Sequence, residues 1–144
     1  MKTIALRFGE VFAPKCGTIA AHQEIIDKIG FVWYGKMGAR VSNSVSQELM
    51  QLDQPQILLI SSGKAERYWA FITEISNERP DSNEFPSYYG DKAEQMKTWF
   101  KVVAFKKAPG DVLKKCIVTS SGSDLSSTSK HSMSPYFKIE YDTQ

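Results

Sequence analysis

The sequence predicts an α+β domain in which two or three short helices flank a strongly curved mixed sheet, or pseudo-barrel, of five or six strands. Three observations lead to this fold class. Apolar and aromatic residues fill the runs "QILLISS" (56–62), "YWAFITEIS" (68–76) and "TWFKVVAFKKA" (98–108), which have strand length and composition. Two stretches, 18–29 and 42–52, repeat apolar residues at helical spacing. The short links between successive strands favour antiparallel pairing.

The other features of the fold are predicted from the composition of each stretch and from the glycines and prolines that end it. The run "QILLISS" is continuously apolar, which is typical of a central strand buried on both faces. Gly30 follows the first helix directly and is a natural helix end. Further strands are predicted in "TIALRFG" (3–9), "FVWYG" (31–35), "IVTSS" (117–121) and "YFKIEY" (136–141). Between two strands lies a polar stretch, 77–97, which has two prolines and is too long for a tight turn.

Length and composition indicate a single soluble domain over 1–144. The chain has 144 residues and a net charge of +2, so its charge neither requires nor opposes a nucleic-acid partner. Its two cysteines, Cys16 and Cys116, have no CxxC spacing, which favours a reduced, cytoplasmic setting. We find no pattern typical of a signal peptide and no apolar run of membrane-spanning length, so no membrane association is expected.

The motifs of catalysis and of cofactor binding are missing from the sequence. It has no GxxxxGK[ST] or GxGxxG loop, only two histidines, no zinc-type Cys/His spacing and no paired carboxylates in an apolar context. We therefore predict no catalytic residues, no cofactor and no metal, and a binding protein rather than an enzyme. An enzyme that uses Cys16 or Cys116 on a nucleotide or thiol substrate remains the last-ranked alternative.

Aromatic residues carry the strongest functional signal. Trp33, Trp69 and Trp99 each lie in a predicted strand, where they either fill the core or line a pocket for a flat ring. In the stretch "GFVWYGKMG" (30–38), strand alternation separates Trp33 from its neighbour Tyr34. We expect Trp33 rather than Tyr34 to face the pocket.

The order of the motifs resembles that of the PUA-like superfamily, and within it the EVE domains, which are relatives of the YTH domains. "QILLISSGKAERYWAFITEIS" (56–76) resembles the EVE segment of two strands joined by a short loop, and "TWFKVVAFKKA" the strand that follows. "DLSSTSKHSMSPYFKI" (124–139) is similar to the closing segment, and "FVWYGKMGARVSNSVSQELMQ" (31–51) takes the place of the Trp-containing turn. The opening strand "TIALRFG" and the long stretch 77–97 depart from the family pattern.

The resemblance implies a nucleic-acid-binding module of prokaryotic type, in which an aromatic pocket accepts a base of DNA or RNA. The base is often modified, for example methylated, in such domains. The pocket residues that the resemblance implies are Trp33, Tyr34, Ser61, Ser62, Trp69, Ser132 and Met133.

Physical reasoning adds polar residues around this pocket. A base held outside its helix needs hydrogen bonds to its polar edge as well as stacking. Serines that end two predicted strands can supply them, and neighbouring cations can hold flanking phosphates. The serines are Ser61, Ser62, Ser120 and Ser121, and the candidate phosphate contacts are Lys36, Arg40, Lys64, Arg67 and His131.

The alternative function is a small protein-interaction module of a phage or mobile-element type. It would act through the stretch 77–97, on which Phe85, Tyr88 and Tyr89 are expected to be exposed as anchors for a protein partner.

Overall fold

The described part of the chain forms a seven-stranded mixed sheet with helices on both faces. The computed structural model describes residues 1–8, 13–61, 66–132, 134 and 136–141, except the side chain of His131. The strands are β1 (Lys2–Phe8), β2 (Val32–Lys36), β3 (Gln56–Ser61), β4 (Tyr68–Ser76), β5 (Thr98–Lys107), β6 (Cys116–Val118) and β7 (Tyr136–Tyr141). The helices are α1 (Thr18–Ile29), α2 (Asn43–Met50), α3 (Val112–Lys115) and α4 (Leu125–His131), with two 3₁₀ helices, Ser82–Glu84 and Ser87–Gln95.

The sheet has the strand order β2-β5-β4-β3-β1-β7-β6. Among the described strands, β1 and β3 form the one parallel pair, in register from Ala5 opposite Leu58 to Phe8 opposite Ser61. The other neighbours are antiparallel, as the short link between β3 and β4 predicted for that pair. Because parallel strands point the same way, β1 and β3 end at the same edge of the sheet.

The α+β class is confirmed, whereas three finer expectations are wrong. Within the described residues the sheet has seven strands, one at each segment predicted to be a strand, so the expected total of five or six was too low. Four described α-helices flank the sheet rather than two or three. It is also open and not strongly curled, since β2 and β6 end the strand order and do not pair with each other. The reason is that β1, which is first in the chain, enters the middle of the sheet and leaves both edges to short strands.

The two faces of the sheet are covered by different helices. Alternate residues of β1, such as Ile4 and Leu6, pack with β3 and β5 under α1 and α2. Residues of the opposite parity, such as Ala5 and Leu58, pack under α3 and α4. Each buried strand therefore contributes to two cores, which explains the continuous apolar run in "QILLISS".

A covering segment, residues 82–95, closes the β2 edge of the sheet. It contains both 3₁₀ helices and buries Phe85, Tyr89 and Ala93 against Trp33 and Trp99. The Gly35 amide of β2 donates a 3.3 Å hydrogen bond to the Tyr89 hydroxyl, so this outer strand has one of its backbone groups satisfied by the segment.

The exposure expected for the aromatic residues of 77–97, on which the alternative function depended, is wrong. Phe85 is 7% exposed and Tyr89 is 5% exposed, and Tyr88 is half-buried. The aromatic residues of 77–97 were expected to project from a polar loop as anchors. They instead fill the space over β2 and β5, because Trp33 and Trp99 need an apolar cover on that face.

Candidate functional site

Two adjoining clefts open at the edge where the parallel strands β1 and β3 end. The last residues of these strands, Phe8 and Ser61, lie opposite each other. Ser61 lines both clefts, so it marks the boundary between them. We call the first the basic cleft and the second the groove, and each is defined by its lining residues below.

The basic cleft has a volume of about 250 Å³. Its lining residues come from the ends of β1 and β3, the start of β4, and α3 and α4, and they are Arg7, Ile60, Ser61, Arg67, Leu113, Ser129 and Lys130. Three of them are cations, and there is no carboxylate among these seven described residues. Such a concave surface of one sign raises the local concentration of anions.

Arg7 is held in place by the end of α4. Its Nη2 donates to the carbonyl oxygens of Ser129 and Ser132, each at 2.5 Å, and its guanidinium lies 5.4 Å from the centre of the Phe137 ring. Carbonyl groups at the end of a helix lack partners within it and attract a cation. These contacts are to neutral groups, so they orient the arginine without neutralising it.

Arg67 stands just before β4 on another wall of the basic cleft. Its own carbonyl accepts a 2.8 Å hydrogen bond from the Ala108 amide, which ties this point of the backbone to the end of β5. The Nε atoms of Arg7 and of Arg67 are both buried and have no hydrogen-bond partner within the described part of the chain. A buried donor left without an acceptor costs about 1–3 kcal/mol.

The groove is larger, with a volume of about 440 Å³. It lies between the start of α1 and the ends of β1, β3 and β5. Its lining residues are Phe8, Lys15, Cys16, Gly17, Thr18, Ile19, Ala20, Gln23, Ser61, Glu66, Tyr68 and Phe105. Three aromatic rings in this set could contact a flat ligand.

The carboxylate of the groove is already engaged. Glu66 lies 3.5 Å from the Lys107 ammonium and accepts a 3.2 Å hydrogen bond from the Tyr68 hydroxyl. Both the carboxylate and the ammonium are exposed, so this pair contributes little to stability. Lys15 is the one basic residue among the described residues that line the groove, and it makes no ion pair with a described carboxylate.

The structure brings together three of the residues predicted for the site. Ser61 and Arg67 line the basic cleft, and the Ser132 carbonyl holds Arg7 there. Ser61 and Ser132 were predicted as base contacts and Arg67 as a phosphate contact. These residues meet at one edge of the sheet because β1 and β3 pair in parallel. The short links between successive strands indicate antiparallel pairs, so they did not predict this one.

The two predicted tryptophans lie apart, on different packing clusters. Trp33 is 7% exposed and packs under the covering segment with Trp99. Trp69 is 5% exposed and packs with α3 and α4, with its ring 5.1 Å from that of Tyr141. Tyr34 lies on the opposite face from Trp33, as strand alternation predicted, and is buried too. Neither tryptophan is among the described residues that line the basic cleft or the groove.

Lys36 was predicted as a phosphate contact, but its ammonium is buried and bonds to backbone carbonyls of the fold. The side chain is 5% exposed and its Nζ donates to the carbonyls of Met37 and Ala39, at 3.2 and 2.5 Å. Burial lowers the pKa of this ammonium from its usual value. It also lies 5.1 Å from the centre of the Tyr136 ring, so the side chain is held on several sides.

The other predicted contacts are exposed or fall outside the described residues. Arg40 is exposed in the turn before α2, and Ser120 and Ser121 are exposed in the turn after β6. None of these three is among the described lining residues of the basic cleft or the groove. Ser62, Lys64 and Met133 lie outside the described residues, as does the side chain of His131.

Sequence reasoning missed Arg7, which is central to the basic cleft. The available signal was its position, since it is a charged residue inside the otherwise apolar strand "TIALRF". A cation on the inward face of a strand normally has a partner or a ligand. Ser129 and Lys130 of α4, and the groove residues Phe8 and Phe105, had no comparable signal.

The two cysteines have different environments. Cys116 is fully buried, and this burial raises the pKa of its thiol to about 12, so it is a poor nucleophile at neutral pH. Cys16 is exposed and lines the groove. In the described ranges, no group of three or more His, Cys, Asp or Glu side chains could hold a metal ion. No helix among those described is long and apolar enough to span a membrane.

Comparisons with known proteins gave one match. The family model described as Pua-like matches residues 4–141, a range that runs from β1 to β7 and includes both clefts. No curated protein and no solved structure matched the chain.

Proposed function

Because the chain belongs to the Pua-like family, we propose that it binds nucleic acid at the edge where β1 and β3 end. Membership of this family suggests nucleic-acid binding in general. The observation that carries the proposal for this chain is the basic cleft, whose described lining residues include three cations and no carboxylate, beside a groove with three aromatic rings. Phosphates are held by cations and bases by stacking, and the two clefts offer these two chemistries side by side.

In this proposal the groove receives one base and the basic cleft an adjacent phosphate. The groove volume of about 440 Å³ leaves room for a nucleobase beside Tyr68 and Phe105. Stacking of a base on an aromatic side chain contributes about 1–3 kcal/mol. Ser61, on the boundary between the clefts, has a hydroxyl that could bond a ribose or base edge.

A more specific proposal is that the base bound in the groove is modified. It is supported by the resemblance to EVE domains and by the three aromatic rings that line the groove, against which a methyl group would gain contact area. A panel of oligonucleotides that differ by one methyl group would test this form. The choice between DNA and RNA is left to the same panel.

We also propose a binding role rather than an enzymatic one. It is supported by the burial of Cys116, which removes one of the two candidate nucleophiles from contact with a substrate. Alkylation of the exposed Cys16 is therefore expected to abolish no catalytic activity. A bulky adduct on Cys16 would nevertheless obstruct the groove.

Binding of single-stranded DNA or RNA is expected to weaken as salt concentration rises. A cation that contacts a phosphate releases condensed counterions, and three such contacts give a slope of log K against log salt of about −2. Fluorescence anisotropy titrations from about 50 to about 300 mM salt would measure this slope. Failure of every DNA and RNA oligonucleotide to bind at low salt would reject the proposed function.

The part played by the groove is tested by two variants of one residue in the same titration. Tyr68→Ala removes a half-buried ring from the groove and is expected to weaken binding roughly tenfold. Tyr68→Phe keeps the ring and removes the hydroxyl that donates to the exposed Glu66, so it should bind like the wild type. Equal affinities for all three proteins would place the base elsewhere.

A further inference from the structure

We propose that Arg7 and Arg67 form a seat for a single phosphate group within the basic cleft. The inference rests on the proposed function, in that the phosphate is taken to belong to a nucleic acid. It goes further by assigning the contact to two particular side chains and by predicting that a phosphate group alone is bound.

The charge of the cleft is the first argument. Arg7, Arg67 and Lys130 line it together, and the seven described lining residues contribute no carboxylate. The nearest acidic residue in sequence, Glu66, faces the groove and pairs with Lys107 at 3.5 Å. Half-buried cations that share a concave surface repel one another, and an anion placed between them relieves this repulsion.

The unmet donors are the second argument. Arg7 Nη2 donates to the carbonyls of Ser129 and Ser132, but Arg7 Nε is buried and has no hydrogen-bond partner among the described residues. The same holds for Arg67 Nε on the other wall. Two guanidinium groups with free donors in one cleft suit the oxygens of a phosphate, which arginine binds through paired N–H groups.

The anchoring of Arg7 is the third argument. Because the end of α4 fixes its orientation, little side-chain entropy is lost when a ligand binds. A purely structural role as a partner for the α4 carbonyls accounts for Arg7 alone. It does not account for Arg67, which comes from a different part of the chain and lines the same cleft.

Lys130 and the cleft dimensions define how the ligand would enter. Lys130 is exposed and belongs to α4, so it can attract an anion to the opening. The volume of about 250 Å³ admits a phosphate group together with part of a sugar. The two possible sources are therefore a terminal phosphate monoester and an internal phosphodiester, which share this chemistry.

The test uses Arg67, since replacing Arg7 would also remove the bonds that hold α4. Arg67→Gln removes the charge, and Arg67→Lys keeps the charge but loses the paired donors. Arg79→Gln is the matched control, because Arg79 is an exposed arginine that pairs with Glu94 outside both clefts. The probes are inorganic phosphate, followed by NMR chemical shifts of backbone amides, and two oligonucleotides that differ only in a 5′-phosphate.

We expect inorganic phosphate to shift amides near Ser61 and Lys130 in the wild type and in Arg79→Gln. Its affinity should fall roughly tenfold or more in Arg67→Gln and by a smaller factor in Arg67→Lys. An Arg67-dependent preference for the 5′-phosphorylated oligonucleotide identifies the monoester as the source. Equal, Arg67-dependent binding of both oligonucleotides identifies the internal phosphodiester.

The seat is rejected if Arg67→Gln binds both inorganic phosphate and the oligonucleotides as the wild type does, a result that leaves the proposed function standing. The opposite result, Arg67-dependent binding of inorganic phosphate without binding of any oligonucleotide, supports the seat and rejects the proposed function.

Discussion

Lowering the pH from 7 to 4 is expected to reduce the free energy of unfolding by about 3 kcal/mol through His22 alone. His22 is fully buried in α1, and burial lowers the pKa of its imidazole from 6.5 to about 4, against a smaller opposite effect of the bond to Thr18. In the folded protein the ring is therefore neutral at pH 7. Its Nδ1 lies 2.7 Å from the Thr18 carbonyl, to which it donates, and its Nε2 accepts from the Tyr89 hydroxyl at 2.5 Å.

The sign follows from the direction of this shift. The unfolded chain takes up a proton on His22 near pH 6.5, while the folded chain does so only near pH 4. The stabilising contribution is therefore complete above pH 6.5 and is lost as the pH falls to about 4. Protonation in the fold would also replace the acceptor that Tyr89 needs by a donor.

Urea unfolding of the wild type and of His22→Gln at several pH values would measure this contribution. Glutamine cannot be protonated in this range, so the difference in unfolding free energy between the two proteins should shrink by about 3 kcal/mol from pH 7 to pH 4. Since carboxylates affect both proteins alike, their contribution cancels in the difference. A difference that stays constant over this range would contradict the assignment.

Replacing Gly35 by alanine is expected to lower the free energy of unfolding by about 2–3 kcal/mol. Gly35 lies opposite Trp99 in the β2–β5 pair and is buried beneath it. A Cβ atom at this position would lie 2.9 Å from one carbon of the Trp99 ring and would overlap Met96 Sδ. Met96 has a flexible side chain and can move, but Trp99 is fully buried and packed against Phe85 and Tyr89.

Gly110→Ala is the matched control for this substitution. A Cβ atom at Gly110 would meet nothing within 4 Å, and its backbone does not require glycine, so its unfolding free energy should stay within about 0.5 kcal/mol of the wild type. Thermal and urea unfolding of the two variants would provide the comparison. Equal stabilities would mean that Trp99 and the covering segment shift to accept the extra methyl group at little cost.

Much of the fold could be predicted because local pattern and tertiary environment agree there. Helix α1 begins and ends where its apolar spacing and Gly30 indicate. The opposite faces of Trp33 and Tyr34 follow from the two-residue repeat of a strand. The stretch 77–97 could not be predicted in this way, since its polar composition hides a few apolar side chains whose burial depends on the distant residue Trp99.

The site was predicted less well, for a physical reason that differs between residue types. Ser61 and Arg67 were found because strand ends and hairpin loops are recognisable in sequence. Tryptophan fits a core and a pocket equally well by composition, so Trp33 and Trp69 could not be assigned without their neighbours. Arg7 was missed because its partners, the carbonyls at the end of α4, are more than 120 residues away in the chain.

The central position of β1 also has a kinetic consequence. This strand is synthesised before the other described strands, yet its two neighbours in the sheet are residues 56–61 and 136–141. It must therefore remain unpaired on one side until β7 has been synthesised, and pairing over such distances is slow. During that interval "TIALRF" is an apolar segment with free backbone groups, and Arg7 is the charge within it that would oppose association with other chains. The same arginine would then protect the nascent chain before it serves the folded one.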